Sequence, residues 1–270
     1  GRACENILAE AYVKPGYIIP MNFHFTTTKA HITRLGGEVV ELVTASGLEP
    51  QNDNPFKGDF DIPALRKLIA EKRDRIPFLR IETGTNLIGG QPISMKNIKE
   101  VCALCRENGI RTVIDASLMQ DNLYFIKVRE PEYKDVPLKD IMHELADISI
   151  IYFSARKLGF SRGGAIITKH ENIYREMMEF IPLYEGFLTY GGMEVRSMEA
   201  MAQGLYESLD MEIISQGPLF IEYLVKELDD YGVPMVKPAG GLGAHINASA
   251  FLPDMPHNVY PAAALAAAVY

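Results

Sequence analysis

The sequence predicts an α/β domain built on a mostly parallel sheet. Apolar runs rich in β-branched residues alternate with amphipathic helical segments, which is typical of this class. Each helical segment is followed by a further strand pattern, so the order of elements favours a parallel sheet. The predicted strands occupy residues 38–43, 78–81, 112–115, 148–153 and 165–168.

Capping residues and turn residues give the helices between these strands readable ends. Asp61 is placed to cap a helix over 61–72, and Pro63 falls in the first turn, where a missing N–H costs nothing. A second helix is predicted over 95–108, and Gly109 is suited to the left-handed position that ends it. Pro137 opens a third helix, which ends near residue 146.

After residue 168 the pattern changes to mostly helices, followed by two short apolar segments. The change predicts a large domain over 1–210 and part of a smaller α+β domain over 211–270. The predicted helices in this part are 171–180, 194–208 and 218–231, and the predicted strands are 234–236 and 244–250.

Composition narrows the classes of partner. The chain has 270 residues of which 47% are hydrophobic, enough for a large core, and its formal net charge of -8 argues against nucleic acid or an anionic membrane surface. No apolar run approaches the ~20 residues of a membrane helix. The chain has three cysteines but no second Cys/His pair, which argues against a zinc site and favours a reducing, cytoplasmic location. The first residue is not methionine and the last residues are alanine-rich, so we expect a piece of a longer protein.

Polar side chains follow three of the predicted strands. Asp115 ends one strand, Ser154 and Lys157 follow the next, and Asn86 follows the strand at 78–81. Ligands of open α/β sheets bind at the carboxyl ends of the strands, so we expect these side chains to share a site. Singly, each has an ordinary alternative as a cap, turn or solvated residue.

Together these residues fit the chemistry of pyridoxal 5'-phosphate. A lysine amine such as that of Lys157 holds this cofactor as a Schiff base, and a carboxylate such as Asp115 keeps the pyridine nitrogen protonated. The amide of Asn86 can hydrogen-bond the phenolate oxygen, and the ring of Phe25 can stack on the cofactor. Hydroxyl groups and backbone N–H groups near Ser154 suit its phosphate.

Several motifs resemble the β-eliminating lyase family of tyrosine phenol-lyase and tryptophanase, and the similarity runs in order through essentially the whole chain. These motifs are Gly-Arg at 1–2 with Glu-Asn at 5–6, Phe-Thr-Thr-Thr at 25–28, Asn-Leu at 86–87 with Gly-Gly-Gln-Pro at 89–92, the segment 121–127, Tyr-Glu-Gly at 184–186 with Tyr-Gly-Gly at 190–192, and Met-Glu-Ala-Met-Ala at 198–202 with Gly-Leu at 204–205.

The resemblance implies a type I pyridoxal-phosphate fold like that of aspartate aminotransferase. It implies β-elimination from an aromatic or other β-substituted L-amino acid, giving pyruvate, ammonia and the leaving group, in a homotetramer that serves amino-acid catabolism. It assigns the Schiff base and the Cα proton to Lys157, and the pyridine nitrogen to Asp115. The remaining assignments are Asn86 for the phenolate oxygen, Phe25 for stacking, and Gly1, Arg2 and Ser154 for the phosphate.

Thr26 is the residue of this chain that bears on the substrate. At this position a threonine resembles tyrosine phenol-lyase, whereas tryptophanases tend to have aspartate, so a phenol-lyase is favoured. The alternative role is a cap for a helix over 27–35. The resemblance places the substrate-binding arginines beyond residue 270 and the proposed acidic tyrosine before residue 1.

Three departures separate the chain from the family pattern. Leu118 stands where the best-known members have an arginine near the phenolate oxygen, so a positive charge is missing. The loop at 158–162 is one residue shorter and lacks the asparagine that helps hold potassium, which makes activation by a monovalent cation doubtful. Leu242 replaces a histidine, and the nearby His245 is expected to be structural.

Two alternatives stay open at this level. One is another type I pyridoxal-phosphate enzyme, such as an aminotransferase or a cysteine-type lyase. The other is a catalytically silent homologue, suggested by Leu118. A Ser-x-x-Lys motif also occurs in penicillin-recognising enzymes, but there it opens a helix, whereas Ser154 follows a strand, and the partner motifs are missing.

Overall fold

Six strands form one sheet in the computed structural model, which describes residues 1–146 and 148–270. The spatial order is β2-β1-β3-β4-β5-β6. All neighbouring strands are parallel except β5 and β6, which are antiparallel. The strands are β1 (Ile18–Met21), β2 (Glu38–Glu41), β3 (Phe78–Glu82), β4 (Arg111–Asp115), β5 (Ile150–Ser154) and β6 (Gly164–Ile167). The predicted α/β class and mostly parallel sheet are therefore confirmed.

The five predicted strands of the sheet exist with ends moved by one or two residues, but β1 was not predicted. Its sequence, Ile-Ile-Pro-Met, is short and contains Pro20, and proline argues against an inner strand because it cannot donate a ladder hydrogen bond. All four residues are buried, so no alternation of polar and apolar residues marks the strand.

Fourteen α-helices occur in the described part of the chain. They are α1 (Arg2–Tyr12), α2 (Thr26–Arg34), α3 (Ala45–Leu48), α4 (Ile62–Lys72), α5 (Met95–Glu107), α6 (Met119–Arg129), α7 (Leu138–His143), α8 (Glu171–Met178), α9 (Phe180–Tyr184), α10 (Val195–Glu207), α11 (Met211–Ile214), α12 (Gln216–Asp230), α13 (Ala248–Phe251) and α14 (Pro261–Val269).

The predicted helix ends agree with the structure at two places and disagree at a third. The Asp61 carboxylate accepts a hydrogen bond of 2.9 Å from the Ala64 N–H, as expected for a cap. Gly109 has φ +62°, so the chain after α5 turns in the left-handed region. The proposed cap role of Thr26 is wrong, because α2 begins at Thr26 itself and Phe25 occupies the cap position.

Two apolar layers cover the sheet on opposite faces. On one face, α4 and α5 bury residues such as Leu65 and Val101 against Ile114 of β4. On the other face, α1 buries Ile7 together with Val113 of the same strand. Each fully buried aliphatic side chain stabilises the fold by roughly 1.5–3 kcal/mol, so these layers hold the strand ends in fixed positions.

The strands predicted at 234–236 and 244–250 are wrong. Only one bridge joins Met235 and Ile246, and the chain after Asn247 turns into α13. Pro234 begins the first segment and Pro238 follows it, and both lack the N–H groups that a longer ladder would need. The domain boundary near residue 211 remains a prediction.

Candidate active site

The carboxyl ends of β3, β4 and β5 lie side by side at one edge of the sheet. Glu82, the last residue of β3, is the register partner of Asp115, the last residue of β4. Asp115 is in turn the partner of Tyr152 on β5. A cavity of about 920 Å³ opens at this edge. Seven of the eight predicted site residues line it, namely Gly1, Arg2, Phe25, Thr26, Asp115, Ser154 and Lys157.

Lys157 lies in the loop that joins β5 to β6. Its N–H donates a hydrogen bond of 3.1 Å to the Ser154 carbonyl, which keeps the lysine within one turn of the strand end. Its side chain is half-buried, and the Nζ atom lies 5.2 Å from the centre of the Phe25 ring. The amine therefore lies beside an aromatic face at the carboxyl edge of the sheet.

Asp115 is buried and accepts hydrogen bonds on both oxygens of its carboxylate. Its Oδ2 atom accepts from Arg80 Nη2 at 2.6 Å and from the Tyr152 hydroxyl at 3.0 Å, and its Oδ1 atom accepts from the Ser117 N–H at 3.0 Å. Burial raises the pKa of Asp115, but the Arg80 guanidinium and these hydrogen bonds outweigh burial and hold the pKa below its ordinary value. The carboxylate is thus ionised where it faces the cavity.

Arg80 and Glu82 belong to the site but were not predicted from the sequence. Arg80 is completely buried and donates to the Glu82 carboxylate at 2.9 Å and to the Tyr152 hydroxyl at 2.8 Å. Glu82 lines the cavity, and burial raises the pKa of its carboxyl group against the opposing effect of Arg80. The available signal was two charged residues inside an otherwise apolar strand, because buried charges need partners.

The end of the cavity assigned to phosphate is formed by the first turn of α1 and the end of β5. A Cβ atom at Gly1 would lie 2.9 Å from Ser154 Cβ, so the glycine leaves this space open. The N–H groups at a helix N-terminus favour anions, and the Ser154 hydroxyl adds a donor.

Glu5 of α1 fixes the neighbouring wall of the cavity. Its buried carboxylate accepts hydrogen bonds from the hydroxyl groups of Thr27, at 2.6 Å, and Thr28. These bonds tie α1 to the first turn of α2 and so orient Phe25 and Thr26.

Asn86 is the predicted residue that the structure does not bring to the cavity wall. It begins a short 3-10 turn, where its N–H donates to Glu82 Oε1 at 3.1 Å. Glu82 and Thr83 line the cavity from this strand end instead. Leu118 also lines the cavity, at the position where the expected arginine is missing.

Asp121 is a further buried carboxyl group near the lysine. Burial raises its pKa to about 7, and the positive charge of Lys157 acts in the opposite direction. Residue 241 is glycine, and a Cβ there would lie 2.6 Å from Asp121 Cβ, so a close backbone covers this carboxyl group.

Across residues 1–146 and 148–270, no three His, Cys, Asp or Glu side chains are grouped as metal ligands. Cys4, Cys102 and Cys105 form no disulfide. In the same ranges no helix is both long and apolar enough to cross a membrane.

The sequence profile of the beta-eliminating lyase family matches residues 1–269. The chain belongs to this family. It is 40% identical over 273 residues to a tyrosine phenol-lyase from Pasteurella multocida, and 38% identical over 274 residues to a tryptophanase from Hyphomonas neptunium. Each match covers 100% of the chain and 60% of the relative. The chain therefore spans about three fifths of the length of these β-eliminating lyases.

Solved structures with low sequence identity share the fold. A putative L-allo-threonine aldolase from Listeria monocytogenes superposes with a TM-score of 0.60 at 15% identity, over 88% of the chain and 60% of that structure. The complex of SepCysS with the SepCysE N-terminal domain gives a TM-score of 0.58 at 15% identity, over 90% and 60%. The fold is that of the type I pyridoxal-phosphate enzymes, as the family match also indicates.

The β-eliminating lyase family implies pyridoxal 5'-phosphate as cofactor, and the residues of the cavity fit it. An amine, an ionised carboxylate and an aromatic ring are supplied by Lys157, Asp115 and Phe25 around one cavity. The open space beside Ser154 and the N-terminus of α1 suit a phosphate group. A cavity of about 920 Å³ is ample for a cofactor together with an amino acid.

Proposed function

We propose that the complete protein is a pyridoxal-phosphate-dependent carbon–carbon lyase that eliminates the β-substituent of an aromatic, or otherwise β-substituted, L-amino acid. The products are pyruvate, ammonia and the leaving group. The observation that carries this proposal is the placement of Lys157 Nζ against the Phe25 ring in the cavity that Asp115 also lines.

Each residue of the proposed site has its own role in this reaction. Lys157 would hold the cofactor through Nζ, and the same amine would accept the Cα proton of a bound substrate. Asp115 keeps a proton on the ring nitrogen, and Phe25 covers one face of the ring. Gly1, Arg2 and Ser154 bind the phosphate. When bound, the cofactor supplies an electron sink for the electron pair left at Cα.

The contact of Asn86 with the phenolate oxygen of the cofactor remains a proposal, although Asn86 does not line the cavity. Its position after β3 supports the contact, but Glu82 and Thr83 stand nearer the cavity. Activation by potassium stays doubtful, because the loop after Lys157 lacks the asparagine expected for it.

Elimination of phenol from tyrosine is the favoured reaction. Thr26 is exposed and lines the cavity, so its hydroxyl group is available to a bound substrate. The 40% identity to a tyrosine phenol-lyase supports the same choice, and the 38% identity to a tryptophanase keeps indole as the second leaving group.

The test is turnover of the full-length protein on tyrosine, tryptophan and S-methylcysteine, with pyruvate and ammonia as readouts. We expect both products without any added keto acid. A requirement for a keto acid would identify an aminotransferase, and no product from any of the three amino acids would favour a silent homologue.

Attachment of the cofactor is tested separately from turnover. Borohydride reduction followed by peptide mass spectrometry should place the reduced cofactor on Lys157. Lys157→Ala should abolish the adduct, whereas Lys139→Ala, on the exposed surface of α7, should retain it. An adduct that survives Lys157→Ala would disprove the assignment.

We also propose a homo-oligomer, a tetramer in the complete protein, located in the cytoplasm. Large apolar side chains are exposed on the second half of the chain, including Phe187 at 69%, Tyr206 at 77% and Phe220 at 75%, and such exposure marks interaction surfaces. Light scattering should give a tetramer, and a fully active monomer would contradict this. Cell fractionation tests the location.

A further inference from the structure

Three charged side chains are buried together beneath the cavity. Arg80, Glu82 and Asp115 are 0%, 5% and 6% exposed, and the guanidinium bonds one oxygen of each carboxylate. A buried charge that lacks a partner is strongly unfavourable. Arg80 gives both buried carboxylates an oppositely charged partner.

All three side-chain hydrogen bonds of Arg80 end on groups at the cavity. They reach Glu82, Asp115 and the Tyr152 hydroxyl, and each of these residues lines the cavity. Arg73, by contrast, donates to the backbone carbonyls of Asn108 and Gly109. The hydrogen bonds of Arg80 therefore connect three groups of the cavity wall to one another.

The charges of the two carboxylates have different effects on the site. Arg80 alone would neutralise Asp115 and weaken its attraction for a protonated ring nitrogen. Glu82 returns one negative charge, so the cluster of Arg80, Glu82 and Asp115 has a net charge of minus one when all three are ionised. Other polar groups around it are Tyr152 from β5, Ser117 after β4, the Asn86 N–H, and Cys4 and Glu5 from α1. Glu5 acts on Arg80 and Tyr152 through its charge.

We propose that Arg80 and Glu82 form a neutral pair that fixes Asp115 toward the cavity and sets the proton affinity of the cofactor's ring nitrogen. This inference rests on the proposed function. Both are positioning residues, because they act through Asp115. Leu118, at the position where an arginine is expected beyond β4, lines the same cavity and adds no charge to it.

The proton on the ring nitrogen can be measured directly by ¹⁵N nuclear magnetic resonance on the full-length protein loaded with ring-¹⁵N pyridoxal phosphate. The pH is varied and the titration midpoint of the nitrogen is recorded. Glu82→Gln leaves a net charge of zero, so the midpoint should fall by about one unit or more. Arg80→Gln removes the positive charge that is hydrogen-bonded to Asp115 Oδ2, so the midpoint should rise.

In the double variant Arg80→Gln/Glu82→Gln, Asp115 alone gives the cluster a net charge of minus one. The midpoint should therefore return toward that of the unmodified protein. Glu38→Gln, on the exposed face of the edge strand β2, is the matched control and should change nothing. Circular dichroism establishes that each variant is folded. If Glu82→Gln does not fold, the rise expected for Arg80→Gln tests the inference alone.

The outcomes separate this inference from the function on which it rests. Midpoints that stay unchanged in the single variants, while Asp115→Asn shifts the midpoint, would overturn the roles of Arg80 and Glu82 and leave the proposed function intact. Failure of the unmodified protein to bind the cofactor on Lys157 would overturn both. Shifts of opposite sign in Glu82→Gln and Arg80→Gln would establish the inference.

Discussion

Lys157 Nζ and the centre of the Phe25 ring are 5.2 Å apart, so the β5–β6 loop and the start of α2 face each other across the cavity. A planar cofactor attached to this amine would lie within reach of the aromatic face. The proposed cofactor binding therefore uses both of these elements.

Replacement of Phe25 by alanine should weaken cofactor binding. Stacking on an aromatic ring contributes about 0.5–1.5 kcal/mol beyond simple burial, so the dissociation constant should rise roughly 2- to 13-fold. Absorbance titration of the apoprotein measures this. Phe23→Ala is the control, because Phe23 stacks on His24 and is not part of the cavity wall. Equal constants for Phe25→Ala and the unmodified protein would refute the stacking role.

Alanine at Gly204 should destabilise the protein and disturb the lysine loop. A methyl group there would overlap the carbonyl oxygen of Gly159, two residues after Lys157, and overpacking costs about 1–3 kcal/mol. Gly217 is also helical but has open space around it, so Gly217→Ala should stabilise by about 0.5 kcal/mol. Urea unfolding of both variants provides the comparison. Two effects of the same sign would show that the close approach to Gly159 is unimportant.

The buried carboxyl group of Asp121 should make stability depend on pH. The pKa of Asp121 is 3.8 in the unfolded chain and about 7 in the folded protein. Between these values the folded form keeps a proton that the unfolded form has lost, so the free energy of unfolding falls as pH rises. The loss is at most roughly 1.4 kcal/mol per pH unit, is absent below about pH 4 and is complete above about pH 7.

The variant Asp121→Asn removes this titration. The stability of the unmodified protein relative to Asp121→Asn should therefore decline from pH 4 to pH 7 in urea unfolding experiments. Asp135→Asn, at an exposed position, should keep the decline seen in the unmodified protein. A difference between the unmodified protein and Asp121→Asn that does not vary with pH would contradict the assignment.

The variant Thr26→Asp should shift substrate preference from tyrosine toward tryptophan. An indole N–H is a donor only, and a carboxylate in the cavity wall can accept its hydrogen bond. A hydrogen bond to a charged group is worth about 1.5–3 kcal/mol, so the ratio of kcat/KM for tryptophan to that for tyrosine should rise about tenfold or more. Thr33→Asp, on the outer part of α2, is the control. An unchanged ratio would remove Thr26 from the specificity determinants.

The positions of Lys157, Asp115 and Ser154 could be predicted because strand ends are encoded locally. An apolar run followed by a polar residue marks each end, and parallel pairing then brings the ends together. The same reasoning placed Asn86 near the site, since it follows β3. It could not show that Glu82 would occupy the cavity wall, because that depends on the direction in which the strand faces.

Arg80 could not be assigned from the sequence for a different reason. Its partners Asp115 and Tyr152 are 35 and 72 residues away and meet it only after three strands have paired. The sequence shows a charged residue within an apolar run and nothing of its neighbours. Thr26 was misassigned as a possible cap because a threonine near a helix start has the same appearance whether it caps the helix or begins it.

The antiparallel pairing of β6 with β5 has a consequence for how sequence change can reach the chemistry. Ser154 pairs with Gly164, and Ala155 N–H bonds the Gly163 carbonyl, so the segment that carries Lys157 is clamped at both ends. A βαβ crossover would absorb an inserted residue far from the sheet. The loop between β5 and β6 cannot absorb a residue in this way. A gain or loss of one residue in this loop would therefore change how far the amine of Lys157 extends over the cavity.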